Sequence, residues 1–133
     1  MTAAAREGGT ALVLVLVVAL LLGLAATALA FTVTLDALAA RNLQEAALAE
    51  GLAEGALQLA ASQIGERLAS GTSPPRRLGP WPGSGVDATA EAVPAGPDQL
   101  VITSEAAVGR SSVTRTLVVA YDPAGLPTVV ARP

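Results

Sequence analysis

The sequence predicts an α+β protein: a long N-terminal helix whose first half is able to span a membrane, followed by a small C-terminal antiparallel β-meander. Three observations carry this. Residues Thr10 to Leu35 form 26 consecutive uncharged positions, most of them Leu, Val or Ala. Asp36 to Ser70 continues without proline and is rich in strong helix formers. Three short strand-like runs, separated by turn sequences, close the chain.

The uncharged run follows a short charged leader, MTAAAREGG, and ends at Asp36. As a helix it measures roughly 39 Å, against a hydrocarbon core of about 30 Å. Leu12 to Val18 alternates Leu and Val and has the look of a strand. In lipid, however, an isolated strand leaves its backbone N–H and C=O groups unpaired, so helix is the outcome. The 12 Leu and Val residues between Ala11 and Ala30 contribute roughly −4 to −7 kcal/mol to insertion.

Two processing readings compete here. One is a secretory signal with Arg6 as its basic region and Ala28-Leu29-Ala30 as a small-residue cleavage site before Phe31. In the other, the apolar run is retained. The apolar stretch before Ala28 is longer than a cleaved signal core, and helical sequence continues past Ala30, which favours retention. Arg6 and the amine, offset by Glu7, orient the N-terminus to the cytoplasm and the bulk outside.

The segment 36–70 prolongs the helix to about 60 residues and roughly 90 Å from Thr10. Leu48, Leu52 and Leu59 share one face, and Leu57, Ile64 and Leu68 another, at spacings of three, four and seven. A helix apolar on two sides needs two partners: the C-terminal part of the same chain, and neighbouring subunits. Asp36, Glu45, Glu50, Glu54 and Glu66 are read as a solvated acidic face, with Arg41 and Glu45 an i,i+4 pair. Gly51 and Gly55 are either weak points in the helix or sites of close helix contact.

Residues 71–98 contain six Pro and five Gly and are read as a loop that ends the helix. The lone Trp81 either pins this loop to the helix or offers an exposed contact. Strands are expected over Gln99 to Ala107, Ser112 to Tyr121 and Pro127 to Arg132, with turns at Val108-Gly109-Arg110-Ser111 and Asp122-Pro123-Ala124-Gly125. Three strands with few large side chains make no core alone, so their apolar face is expected on the Leu57 to Leu68 part of the helix.

The chain lacks Cys and His, and all eight of its basic residues are Arg. That excludes disulfides, thiol chemistry, histidine bases and nearly all transition-metal sites. No phosphate-binding loop, dinucleotide fingerprint or nucleophile elbow is present. Asp87, Glu91 and Asp98 lack the partners and spacing of an acid–base pair, and Ser111 and Ser112 have no activating base. Residues 71–133 hold five Arg and five acids, so no basic surface argues for nucleic acid. The expectation is a non-enzyme with no catalytic residues, no cofactor and no metal.

Arg6-Glu7-Gly8-Gly9 before Thr10-Ala11-Leu12-Val13, the unbroken continuation, and Asn42-Leu43-Gln44-Glu45-Ala46-Ala47-Leu48-Ala49-Glu50-Gly51 together resemble type IV pilin-like proteins, nearest to PilX-type minor pilins and pseudopilins. The likeness covers roughly residues 6 to 68. It implies a pilin-like fold, with residues 1–9 a prepilin-type leader, 10–35 the membrane half of the helix, 36–70 its extracytoplasmic half, 71–98 a loop and 99–133 a reduced head. It further implies that Gly9 is the residue recognised by the prepilin peptidase and Thr10 the new, N-methylated terminus. Gly23 then corresponds to the helix-weakening residue of such spans. Leu14 stands where major pilins carry a Glu that pairs with a neighbour's amine. An unpaired carboxylate in lipid is costly, so Leu14 lowers the cost of membrane residence and removes an assembly contact, as in minor or tip subunits. The partners implied are the membrane, other pilin-like subunits, the prepilin peptidase and the assembly machinery, with the chain in the inner membrane until it joins a filament.

Overall fold

The computed structural model describes residues 4–81 and 87–132. The first element is helix α1, Ala4–Ala69. It stops because the chain turns left-handed at Gly71, whose φ is 73°. The Gly71 N–H donates to Leu68 O at 3.0 Å and the Thr72 N–H to Arg67 O at 2.8 Å. This paired 5→2 and 6→1 pattern satisfies carbonyls that the end of the helix would otherwise orphan, and Gly is the residue that adopts it without strain. Pro74 and Pro75 follow and prevent resumption.

Two compact units divide the chain, residues 1–41 and 42–133. Within the first, every large apolar side chain from Leu12 to Leu38 is exposed. Within the second, five strands form one antiparallel sheet in the order β1-β2-β3-β4-β5: β1 Arg77–Leu78, β2 Ala88–Pro94, β3 Gln99–Val108, β4 Ser111–Tyr121 and β5 Pro127–Ala131.

The three expected strands are thus present within one residue of their expected ends. The expectation of loop throughout 71–98 is corrected by β1 and β2. Strand β2 runs Ala-Thr-Ala-Glu-Ala-Val-Pro and pairs along its whole length with β3, from Ala88↔Ala106 to Pro94↔Leu100. Ala88, Ala90 and Ala92 are buried while Thr89 is exposed and Glu91 half-buried. The period of two is there, but Ala carries little bulk and little β preference, so the flanking Pro and Gly outweigh it when the sequence is read alone.

The β3–β4 hairpin closes with the two residues Gly109 and Arg110, Gly109 having φ 59°. A glycine with positive φ at the first turn position suits the twist of paired strands. The β4–β5 connection is tied by Asp122, whose Oδ1 accepts the Leu126 N–H at 2.7 Å and whose carbonyl accepts the Gly125 N–H at 2.9 Å. A register irregularity at Val118/Val119, with Pro127 at the start of β5, blunts this sheet edge against further pairing.

The sheet packs on α1 as expected, over Leu57, Ala60, Ala61 and Ile64, which meet Leu78, Ala90, Ala92, Ile102, Leu117 and Val119, with Leu68 half-buried beside them. A second, smaller cluster joins Ala53 and Ala56 to Ala88 and Ala106. Of the helix residues with no exposure, four are alanine, at positions 49, 53, 56 and 60, beside Ile64. Small side chains let strand and helix backbones approach closely, at the expense of apolar area. Of the other expected face, Leu48 is exposed and Leu52 and Leu59 half-buried.

Candidate functional site: an uncovered apolar helix

The feature that sets this chain apart is the surface of α1 within residues 9–41. Leu and Val side chains point outward on all sides of the helix; Leu14 is 66% and Leu22 65% exposed. Water-soluble monomers seldom show contiguous apolar patches above a few hundred Å² (about 300–600 Å² at most). Here the apolar surface encircles the helix, the pattern of a segment covered by other protein or by lipid. This is the single helix among the described residues long and apolar enough to cross a membrane.

Polar groups inside the run are dealt with locally. The hydroxyl of Thr27 donates to Leu24 O at 2.9 Å, Thr32 to Leu29 O at 2.8 Å and Thr34 to Phe31 O at 2.7 Å. Each donor is thereby used within the helix, so the threonines do not carry bare O–H groups into an apolar medium. Gly23 has open space around it.

The residues singled out in the sequence fall on this element. Gly9 and Thr10 are exposed on the helix, with nothing within 4 Å of the position a Gly9 Cβ would occupy. Leu14 lies one turn further on, also exposed. The leader residues Met1, Thr2 and Ala3 lie outside the described residues.

In the second unit the acids of α1 have a role that local sequence does not reveal. Glu50 forms an ion pair with Arg115 of β4, and Glu54 pairs with Arg132 just beyond β5 at 3.2 Å. Glu45 Oε2 accepts the N–H of Arg110 at 3.2 Å, and its carboxylate occupies the space a Gly109 side chain would need. The reading of Glu45, Glu50 and Glu54 as merely a solvated face is corrected by these contacts. Their partners lie 65 or more positions away, so helical periodicity carries no sign of them. Glu66 keeps its expected exposure.

Trp81 is half-buried and packs against both apolar clusters, which fits its expected role in pinning the loop. A groove of about 500 Å³ runs between α1 and β5, lined by Leu57, Ala61, Leu117, Val119, Leu126 and Val129 among others. It is mostly apolar, with Glu66 and the Glu54–Arg132 ion pair along its lining. Glu91 is engaged by Arg76 at 2.8 Å, and among the described residues no three Asp or Glu side chains converge as a metal site would need. Burial pushes the pKa of Tyr121 up to about 12.

No family model matches the chain, and no curated protein or solved structure is significantly similar to it.

Proposed function

We propose that the chain is a structural, non-catalytic minor pilin or pseudopilin: held in the inner membrane by residues 10–35, cut after Gly9, and built into a type IV pilus-like or type II secretion-like filament through its N-terminal helix. The observation that carries the reading is the encircling apolar surface of α1 in a helix that continues, without a break, into the segment that supports a small antiparallel sheet. Lipid covers that surface while the subunit is stored, and like helices cover it in a filament. The N-terminus lies in the cytoplasm and the sheet outside. Leu14 supplies no carboxylate for a neighbour's amine, which suits a minor or tip position rather than the bulk subunit.

A second reading has one observation in its favour. The apolar clusters of the second unit use no residue before Ala49, so cleavage after Ala30 would release a small binding module with its core intact. An uncleaved single-pass scaffold is the third reading. Sequencing the N-terminus of protein isolated from its native cells separates them. The pilin reading expects Thr10, N-methylated; a start at Phe31 establishes the released module, and a start at Met1 or Thr2 the uncleaved scaffold.

A further inference from the structure

Of the five strands described, β5 is the one in which no residue is buried; each of the others sets at least one side chain into the core. Even β1, two residues long, contributes Leu78 at 5% exposure, whereas no β5 residue belongs to either apolar cluster. Val129 stands opposite the fully buried Val119 and so shares its helix-facing side. The groove between α1 and β5 lies there, and Val129 borders that space without filling it, remaining 51% exposed.

The other ties of β5 are few. Its pairing with β4 is interrupted by the irregularity at Val118/Val119. At its far end Arg132 meets Glu54 at 3.2 Å, in a pair exposed enough to hold weakly. The firm contacts come before the strand: the Gly125 N–H on Asp122 O, the Leu126 N–H on Asp122 Oδ1, and the backbone of Gly125 against Gly65. The turn is thus fastened to α1, while the strand beyond it is held by little more than its ladder.

We propose that β5 is a hinged strap, opening as a unit from Pro127 onward while α1 and β1 to β4 stay folded. Elements unfold together when packed side chains couple them, and β5 takes no part in the two clusters that join the others. Opening bares the outer edge of β4 and the flank of Val119, so the strap governs access to the groove and covers an edge otherwise free to pair. All these residues lie in the second unit, which makes the inference independent of how the N-terminal segment is processed or held.

The chain has no native cysteine, and Ala120 and Thr128 are direct partners across β4 and β5, a separation that a disulfide spans. Alternation puts both on the sheet face turned away from the groove, so oxidised Ala120→Cys/Thr128→Cys locks the strap without altering the groove lining. Hydrogen exchange of the detergent-solubilised full chain is followed residue by residue by nuclear magnetic resonance. In the parent and the reduced variant, the amides bonded between β4 and β5 are expected to exchange about a hundredfold faster than those between β3 and β4, and oxidation to bring the two sets within about tenfold. Arg132→Gln probes the same opening without a new bond: it is expected to speed the β4–β5 amides severalfold and leave the β3–β4 amides unchanged. Equal exchange in the two ladders, unaltered by oxidation, would show that the second unit opens only as a whole and overturns the proposal. Exchange of the β4–β5 amides at the rate of free peptide in every form would show that no strap is formed, and overturns it equally.

Discussion

The carbonyl oxygen of Gly125 lies against Gly65 where a Cβ on that residue would stand, and the carbonyl of Gly65 lies in the same relation to Gly125. This reciprocal contact joins the buried face of α1 to the β4–β5 turn, and it exists because neither residue has a side chain. Gly65 sits in a helix interior, where Ala is favoured by about 1 kcal/mol on propensity. Gly125 has φ 77°, a conformation L side chains rarely adopt.

Gly125→Ala and Gly65→Ala are therefore expected to destabilise the second unit, each by about 1–3 kcal/mol, because the obstruction is backbone and the turn must move. Gly51→Ala is the contrast: nothing lies within 4 Å of the added carbon, so the propensity gain of up to about 1 kcal/mol is expected to appear as increased stability. Thermal unfolding of the detergent-solubilised full chain, followed by circular dichroism, ranks the three. Equal effects at positions 51 and 65 would contradict the packing described.

Ser104 is a fully buried polar residue on β3, and its hydroxyl donates to Ala53 O of α1 at 2.8 Å. The carbonyl keeps its helical partner when the serine is lost, so Ser104→Ala is expected to cost only about 0.5–1.5 kcal/mol. Ser104→Leu is expected to cost more, about 1–3 kcal/mol, since added volume meets the tight alanine contacts around Ala53. Chemical denaturation midpoints at constant m-value measure both.

Tyr121 anchors the other end of the interface, its hydroxyl donating to Ala61 O at 3.1 Å. Burial raises its pKa from 10.0 to about 12. The folded state then holds the phenolic proton after the unfolded chain has begun to lose it. The contribution is complete below pH 10 and declines as pH rises from about 10 to about 12. Stability is expected to fall across that window, and Tyr121→Phe to remove this part of the slope while lowering stability at neutral pH by about 0.5–1.5 kcal/mol. A pH series of unfolding midpoints for the two proteins tests the sign.

The ion pairs Glu50–Arg115 and Glu54–Arg132 have side chains between 37% and 63% exposed. Pairs of this kind are worth about 0–1 kcal/mol and weaken with salt. Glu50→Gln and Glu54→Gln are expected to shift stability by less than about 1 kcal/mol each, with the difference from the parent shrinking at high ionic strength. A loss of several kcal/mol would show that these contacts, rather than the alanine and aliphatic packing, hold the sheet on α1.

A charge in the middle of the apolar run tests its solvent. Leu22→Arg is expected to raise the cost of insertion by about 3–4 kcal/mol and to increase the protein extracted by alkaline carbonate, with the unfolding of the second unit unchanged. Unaltered extraction would mean that residues 10–35 are not held in lipid.

Much of the architecture is visible in local sequence. An uncharged run, a proline-free continuation and two good turn sequences announce the helix and three strands, because length, backbone satisfaction and turn chemistry act between residues close in the chain. Strand β2 is hidden in the sequence because Ala88, Ala90 and Ala92 alternate without bulk. Its strand character comes from pairing with β3 and from contact with α1, neither of which is a property of those seven residues.

Leu57, Ile64 and Leu68 mark where the sheet lies, yet Ala49, Ala53, Ala56 and Ala60 are buried there as completely as Ile64. Hydropathy ranks residues by transferable area, whereas contact between backbones requires its absence. The same holds for Gly65, whose purpose is evident only beside Gly125. By itself, then, the sequence determined a long helix with a greasy first part and a small antiparallel sheet to follow, since periodicity and the cost of unpaired backbone in lipid are local matters. That small residues, the Glu–Arg pairs and the Ser104–Ala53 bond join sheet to helix is settled by tertiary structure alone, because those contacts link residues about 30 to 80 positions apart and depend on shapes that neither partner possesses alone.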